Sequence, residues 1–193
     1  SKNFGFVDLS FGFKPPSGVG IVVDAPAVTG GGYLFFDLDK GQYAGIVQLN
    51  VEGGLTLTAI GLISTRLPSG APGFSFLVII TAEDFKPIPL GLGFTLTGVG
   101  GLLAVNRTCN EEFLRAGLKN KTLDDVLFPA DPIRNAAHIL STFDSAFPAR
   151  PGSYLFGPVV QIRWGTPPVV TMNLAAVLEL GNRTRLIVLG RVS

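Results

Sequence analysis

The chain has 193 residues and a formal net charge of +1, and 15% of its residues are charged while 47% are hydrophobic. This balance excludes a disordered chain, and the lack of any basic run excludes the electrostatic surface that a nucleic-acid binder needs. Cys109 is the only cysteine, so an internal disulfide is excluded as well. We predict one β-rich domain over residues 1–193, a fragment of a larger protein, that buries roughly 70% of its unfolded surface.

Alternation of apolar with polar or small side chains predicts a series of short strands in the first half of the chain. The predicted strands are residues 4–13, 19–24, 33–38, 42–51, 55–65 and 74–81. Asp39-Lys40-Gly41 and Glu52-Gly53-Gly54 are short turns in which glycine can adopt positive φ, so both predict β-hairpins. Connections this short join antiparallel strands, because parallel pairs need crossovers of a dozen or more residues.

The next stretch, residues 87–105, contains no formal charge. Its length suits a membrane-spanning helix, but its large side chains fall on alternate positions, which is the period of a strand. The alternation changes phase at Gly98, as a β-bulge or a sharp bend requires. We therefore predict one long bent strand here and no transmembrane helix.

Charged residues and helix signals concentrate between residues 107 and 150. Asn110 is a good N-cap for a short helix with an acidic first turn. Residues 122–125 form a second capping pattern. Residues 131–147 begin with an Asp-Pro pair and carry one apolar stripe, which predicts an amphipathic helix.

Strand alternation returns after residue 150, with predicted strands over residues 154–164, 170–180 and 184–192. The elements together predict a mainly β protein with a helical insertion at residues 107–150, which is a β-rich α+β fold. We expect an antiparallel meander of about ten strands forming a curled sheet or open barrel, with helices at about 110–147 packed on one side.

No group of residues forms a recognisable catalytic or metal-binding motif. The one histidine, His138, lies off the apolar stripe of its predicted helix, so we expect it to be exposed and not catalytic. Asp37 and Asp39 project from one strand face and could hold a hard cation or act as a glycosidase-like acid and base. A hydrolase acting on glycans or lipids is therefore the alternative function. Solvation of an ordinary turn is the simpler account, and we predict no catalytic residue, metal or cofactor.

Several strands are apolar on both faces, and this excess is the functional lead. A sheet with one solvated face needs only one apolar face, so the second one calls for a covering layer, a ligand or a partner. We predict a non-enzymatic structural or binding module whose apolar sheet surface, a hydrophobic groove, holds a lipid-like ligand or stacks on neighbouring modules or in a homo-oligomer. The predicted contact residues are Leu57, Ile63, Phe76, Leu92, Phe94, Leu96 and Leu103.

Four phrases carry a family resemblance: GLGFTLTGVGGLLAVNRT at residues 91–108, TAIGLISTRLP at 58–68, LFPADP at 127–132 and WGTP at 164–167. With these phrases the chain resembles an uncharacterised bacterial domain family found as a module in large β-rich proteins. That family has no settled activity, so the resemblance implies no catalytic residue. It implies a module within a larger protein, which agrees with self-assembly or stacking on neighbours.

Overall fold

The computed structural model describes residues 2–4, 7–14, 18–67, 69–120, 127–129 and 131–193, with side chains at 18–67, 69–117, 127–129 and 131–193. In these residues the chain forms eleven strands and two helices. The strands are β1 (Lys2–Phe4), β2 (Val7–Lys14), β3 (Gly18–Ala25), β4 (Val28–Asp37), β5 (Gln42–Val51), β6 (Leu55–Arg66), β7 (Pro72–Gly91), β8 (Phe94–Arg107), β9 (Ala149–Trp164), β10 (Val170–Leu180) and β11 (Arg185–Val192). The helices, α1 (Glu111–Asn120) and α2 (Ala136–Ala146), lie between β8 and β9.

The strands form one sheet in which each strand pairs with its neighbours in the sequence. The order runs from β1 to β11, and every pairing is antiparallel. The predicted β-rich meander with a helical insertion is therefore confirmed. The predicted curl is corrected, because the sheet is open and uncurled. A barrel requires its two edge strands to pair, and no such ladder joins the edge strands of the described chain.

Residues 87–105 form a hairpin rather than the predicted single bent strand. β7 continues to Gly91 and β8 begins at Phe94, so Leu92 and Gly93 occupy the turn. Gly91, Leu92 and Gly93 have φ of 92°, 52° and 82°, a region that glycine adopts more readily than other residues. The turn was hidden in the sequence because its leucine maintains the alternation between the two glycines.

The predicted bulge at Gly98 is confirmed. The register of β8 against β9 shifts between Leu96 and Gly98, so Leu96 and Val99 point to the same face although they lie an odd number of positions apart. A Cβ on Gly98 would lie 2.8 Å from the ring of Phe128. Glycine at this position therefore makes room for the aromatic side chain beneath the sheet.

The helices begin where their capping geometry allows. The Phe113 backbone N–H donates to Asn110 Oδ1 at 3.1 Å, which confirms the predicted N-cap of α1. α2 begins at Ala136 rather than residue 131, because residues 132–135 form a turn that ends at the N-cap Asn135, with φ of −96° and ψ of 12°. His138 is exposed on α2, as predicted. The capping pattern at residues 122–125 lies outside the described residues.

The helices cover one face of the sheet and build the core there. Phe143 and Phe147 are fully buried, with ring centroids 6.0 Å apart. They belong to one cluster with the apolar side chains of the strands, which include Ile46, Ile60, Leu62, Leu77, Ile79, Leu102, Ala104, Leu155, Val159, Ala175 and Val177. Full burial of a side chain of this size contributes about 1.5–3 kcal/mol, so this layer holds the helices on the sheet.

Two groups of ion pairs also tie the helices to the sheet. Arg107, the last residue of β8, donates to Asp144 of α2 at 2.9 Å. Arg185 of β11 pairs with Glu179 of β10 at 2.7 Å and with Glu111 of α1. Because Glu179 is almost completely buried, this second group fixes the first turn of α1 over the last two strands.

Candidate functional site

The face of the sheet opposite the helices is uncovered, and we call it the open face. It consists of the strand residues that alternate with the core positions, and directly paired residues on neighbouring strands share a face. Its large members include Val19, Ile21, Leu34, Phe36, Tyr43, Val47, Leu57, Ile63, Phe76, Val78, Ile80, Val99, Leu103, Tyr154, Phe156, Val160, Ile162, Leu174, Leu178, Leu186 and Val188. The apolar surface therefore extends across β3–β11.

No charged residue that is paired in the ladders of β3–β11 points to the open face. The charged ladder residues point to the helix-covered face, and they are Asp24, Asp37, Arg66, Glu83, Arg107, Arg163, Glu179, Arg185 and Arg191. A half-exposed antiparallel sheet ordinarily has the opposite arrangement, with polar side chains on the solvent face. The open face therefore lacks the polar side chains that a solvent-exposed sheet face ordinarily carries.

Large apolar side chains on the open face are exposed. Val188 exposes 69%, Leu186 65% and Phe156 63% of its surface. Other exposed members are Leu34, Tyr43, Ile63, Phe74, Ile80, Val99, Leu103, Tyr154, Leu180 and Val192. Soluble monomers rarely expose a contiguous apolar patch larger than a few hundred Å², and larger patches mark interaction sites.

A shallow groove of about 290 Å³ crosses the open face over β4–β7. Its floor contains Gly45 and Gly61, which are register partners. Its walls include Leu34, Ile63 and Phe76. The lining is mostly apolar, so the groove suits hydrocarbon groups and offers few hydrogen-bonding partners.

Two glycines of the open face have room for a side chain. A Cβ on Gly61 or Gly101 would come no closer than 3.8 Å to any atom outside its chain neighbours. Neither residue lies at a register shift or has positive φ. A strand glycine costs roughly 0.5–1 kcal/mol relative to alanine and often marks the close approach of another surface. The packing around these two positions does not require glycine.

The structure divides the predicted contact residues into two groups. Those on the open face are Leu57, Ile63, Phe76, Phe94, Leu96 and Leu103. Leu96 and Leu103 share this face because the bulge between Leu96 and Gly98 changes the phase of β8. Leu92 lies apart from them at the tip of the β7–β8 hairpin, where it is 92% exposed. The cause is the turn at this residue, which removes it from the strand alternation.

The most exposed open-face residues lie on strands that the predicted site did not include. β9 and β11 contribute Phe156, Leu186 and Val188. Alternation in these strands is visible in the sequence. It could not identify the site, because periodicity separates two faces without showing which one the helices cover.

Asp37, one of the two carboxylates considered for catalysis, takes part in the turn between β4 and β5. Asp37 accepts a hydrogen bond from the backbone N–H of Lys40 at 3.0 Å, and this bond lowers the pKa of the carboxyl below its ordinary value. Cys109 is buried, and desolvation, followed by the nearby charge of Glu179, raises its pKa to about 12. Among the described residues, no three His, Cys, Asp or Glu side chains are placed to hold a metal ion.

The fold and the open face define a class of protein: an open antiparallel meander with one helix-covered face and one uncharged apolar face. No helix of the described residues is long and apolar enough to cross a membrane. The chain belongs to a family of unknown function, DUF6603, whose model matches residues 1–193. No curated protein and no solved structure matches the chain. The resemblance to an uncharacterised domain family is thereby confirmed, while a bacterial origin and a place in a larger protein stay predictions.

Proposed function

We propose that this domain is a non-enzymatic structural module that assembles by packing its open face against the open face of a second copy. The observation that carries the proposal is that no charged ladder residue of β3–β11 points to that face. Burying such a surface against another apolar surface is favourable, because it removes apolar area from water without desolvating charges. A second copy supplies a surface of equal size and composition.

The open face is large enough for a stable interface. From β4 to β11, seven strand spacings of about 4.8 Å give a width of roughly 34 Å. Along β9, residues 154–162 cover a length of roughly 26 Å at about 3.3 Å per residue. The product is roughly 900 Å² per copy, and a standard protein–protein interface needs roughly 800 Å² per partner.

The open, uncurled sheet favours a facing sheet over a lipid-like ligand. Sheets stack face to face about 10 Å apart, with interdigitating side chains. The positions of Gly61 and Gly101 leave gaps that side chains of the facing copy can fill. A small-molecule site instead encloses roughly 70–90% of its ligand, whereas the groove over Gly45 is shallow and open to the outside.

The alternative of a glycan or lipid hydrolase has weaker support. Asp37 is engaged by Lys40 through a backbone hydrogen bond and an ion pair of 3.3 Å. Asp39 lies in the same turn. This arrangement accounts for both carboxylates through the hairpin between β4 and β5, so assembly is the function that the geometry supports best.

Analytical ultracentrifugation over a wide concentration range tests the proposal. We expect the wild-type chain to form dimers. Phe156→Glu and Val188→Glu place a charge on the open face and should raise the dimer dissociation constant by about 100-fold or more, because the charge is desolvated in the interface. Ala116→Glu, at an exposed position of α1, is the matched control and should leave association unchanged.

Three outcomes contradict the proposal. The first is a wild-type chain that stays monomeric at the highest concentration. The second is an unchanged dimer in both open-face variants. The third is a monomer that binds phosphatidylcholine vesicles and loses this binding in Phe156→Glu and Val188→Glu, which assigns the open face to a membrane surface instead.

A further inference from the structure

A second candidate site lies on the helix-covered face, beside α2. It consists of two hollows of about 280 Å³ and 300 Å³ that share Gln42, Arg107 and Asp144 in their walls. Each is close to the lower end of the roughly 300–1,000 Å³ range of small-molecule sites. Because the hollows adjoin through these three residues, we treat them as one cleft with two ends.

The two ends of the cleft differ in chemistry. One end is lined mostly by apolar groups of the sheet and of α2, with Ser141 and Ser145 as further polar members; the apolar groups include Tyr33, Phe35, Ala44, Leu62, Ala137 and Leu140. The other end is lined by Lys40, Arg66 and Arg107, with Asp144 as its only carboxylate. An ion pair with Asp37 at 3.3 Å offsets the charge of Lys40. The polar end still has an excess of positive charge.

Two guanidinium groups at the polar end have unused capacity for an anion. Arg107 is 2% exposed and donates through Nη1 to Asp144 and, at 2.8 Å, to the Phe147 carbonyl. Its buried Nε has no hydrogen-bond acceptor among the described residues. The Arg66 side chain is exposed and forms no ion pair within the described part of the chain. A buried donor without a partner calls for a water or an ion.

We infer that this cleft binds an amphiphilic carboxylate, with its hydrocarbon chain over Phe35 and Leu62 and its carboxylate at Arg66 and Arg107. The planar guanidinium matches a carboxylate in shape and charge. The apolar end removes the ligand's hydrocarbon chain from water, and a hydrocarbon chain needs no hydrogen-bond partner. The cleft and the open face are on opposite sides of the sheet, so this inference does not depend on the proposed assembly.

Isothermal titration calorimetry with decanoate, 1-decanol and acetate tests the inference. The wild-type protein should bind decanoate at least tenfold more tightly than either other compound, because only decanoate engages both ends. Arg66→Gln should weaken decanoate binding about tenfold and leave decanol binding unchanged. Ala137→Trp should fill the apolar end and weaken both. Phe156→Glu on the open face is the control and should bind decanoate as the wild type does.

Thermal unfolding of each variant confirms that the fold is retained. Equal affinity of the wild type for decanoate and decanol overturns the inference, and so does wild-type decanoate affinity in both cleft variants. Binding to phosphatidylglycerol vesicles without binding to monomeric decanoate also overturns it, since the anion is then a phospholipid headgroup. A monomeric protein that still binds decanoate refutes the proposed assembly alone.

Discussion

Replacement of Glu179 by glutamine should destabilise the domain through its buried ion cluster. The Glu179 side chain is 4% exposed and accepts hydrogen bonds from Thr108 Oγ1 at 2.6 Å and Arg185 Nε at 2.9 Å. Breaking a buried pair costs about 3–5 kcal/mol. In the variant Arg185 still pairs with Glu111, and its side chain is 30% exposed. Water therefore screens the Arg185 charge and reduces the loss of stability. We expect about 2–3 kcal/mol, which lowers Tm by about 5–10 °C in a domain of this size.

The pH dependence distinguishes the lost charge from lost packing. Burial opposes ionisation of Glu179, but hydrogen bonds from Thr108 and Arg185 and the Arg185 charge outweigh it, so the folded-state pKa lies below the ordinary value. A lowered carboxyl pKa stabilises the fold above the unfolded pKa, and this contribution is lost as pH falls through the folded pKa. The difference in Tm between wild type and Glu179→Gln should therefore be full near neutral pH and shrink toward about pH 3.

Differential scanning calorimetry of the wild type, Glu179→Gln and Glu52→Gln measures this effect. Glu52 lies exposed in the turn between β5 and β6, so its variant removes a carboxylate without disturbing a buried pair. A Tm of Glu179→Gln within about 1 °C of the Glu52→Gln control at neutral pH refutes the stabilising role of the buried ion cluster. It is also refuted if the difference in Tm stays constant down to about pH 3.

Three further predictions concern the open-face glycines, the buried cysteine and the Asp37–Asp39 turn. Gly61→Ala and Gly101→Ala should leave monomer stability unchanged or raised, because a Cβ fits both positions, but should weaken dimerisation. A clear loss of thermal stability at concentrations where the protein is monomeric contradicts this. The Cys109 thiol is buried and its pKa is raised to about 12, so it should resist maleimide labelling in the native protein and react only after unfolding. Fast labelling of the native chain refutes the burial of this thiol. The Asp37→Asn and Asp39→Asn double variant should match the wild type in a broad hydrolase panel, since Asp37 serves the turn; any activity lost with these carboxylates revives the hydrolase alternative.

The sequence was a good guide wherever one local rule decided the structure. The turn at Gly41 and the cap at Asn110 follow from glycine at positive φ and from a side-chain oxygen that accepts a helix N–H, and both are present. The bulge at Gly98 followed from a change of phase in the apolar pattern. These features depend on residues close together in the chain.

The sequence was a poor guide where local signals conflicted or where long-range packing decided the structure. The turn at Leu92 was missed because a leucine between two glycines keeps a strand-like pattern. The start of α2 was predicted at residue 131, where an Asp-Pro pair favours a helix, yet residues 132–135 form a turn and α2 begins at Ala136. The extent of the open face was also hidden, because only the docking of the helices shows which face is covered.

The sequential order of the strands has a consequence for how the chain folds. Most ladders join strands that are connected by a short turn. These hairpins can form one after another, because closing each short loop costs little chain entropy. The β8–β9 ladder is different, because residues 108–148 intervene between its strands. Pairing β8 with β9 closes a much longer loop than any hairpin does, so this ladder costs more chain entropy and we expect it to form more slowly than the others.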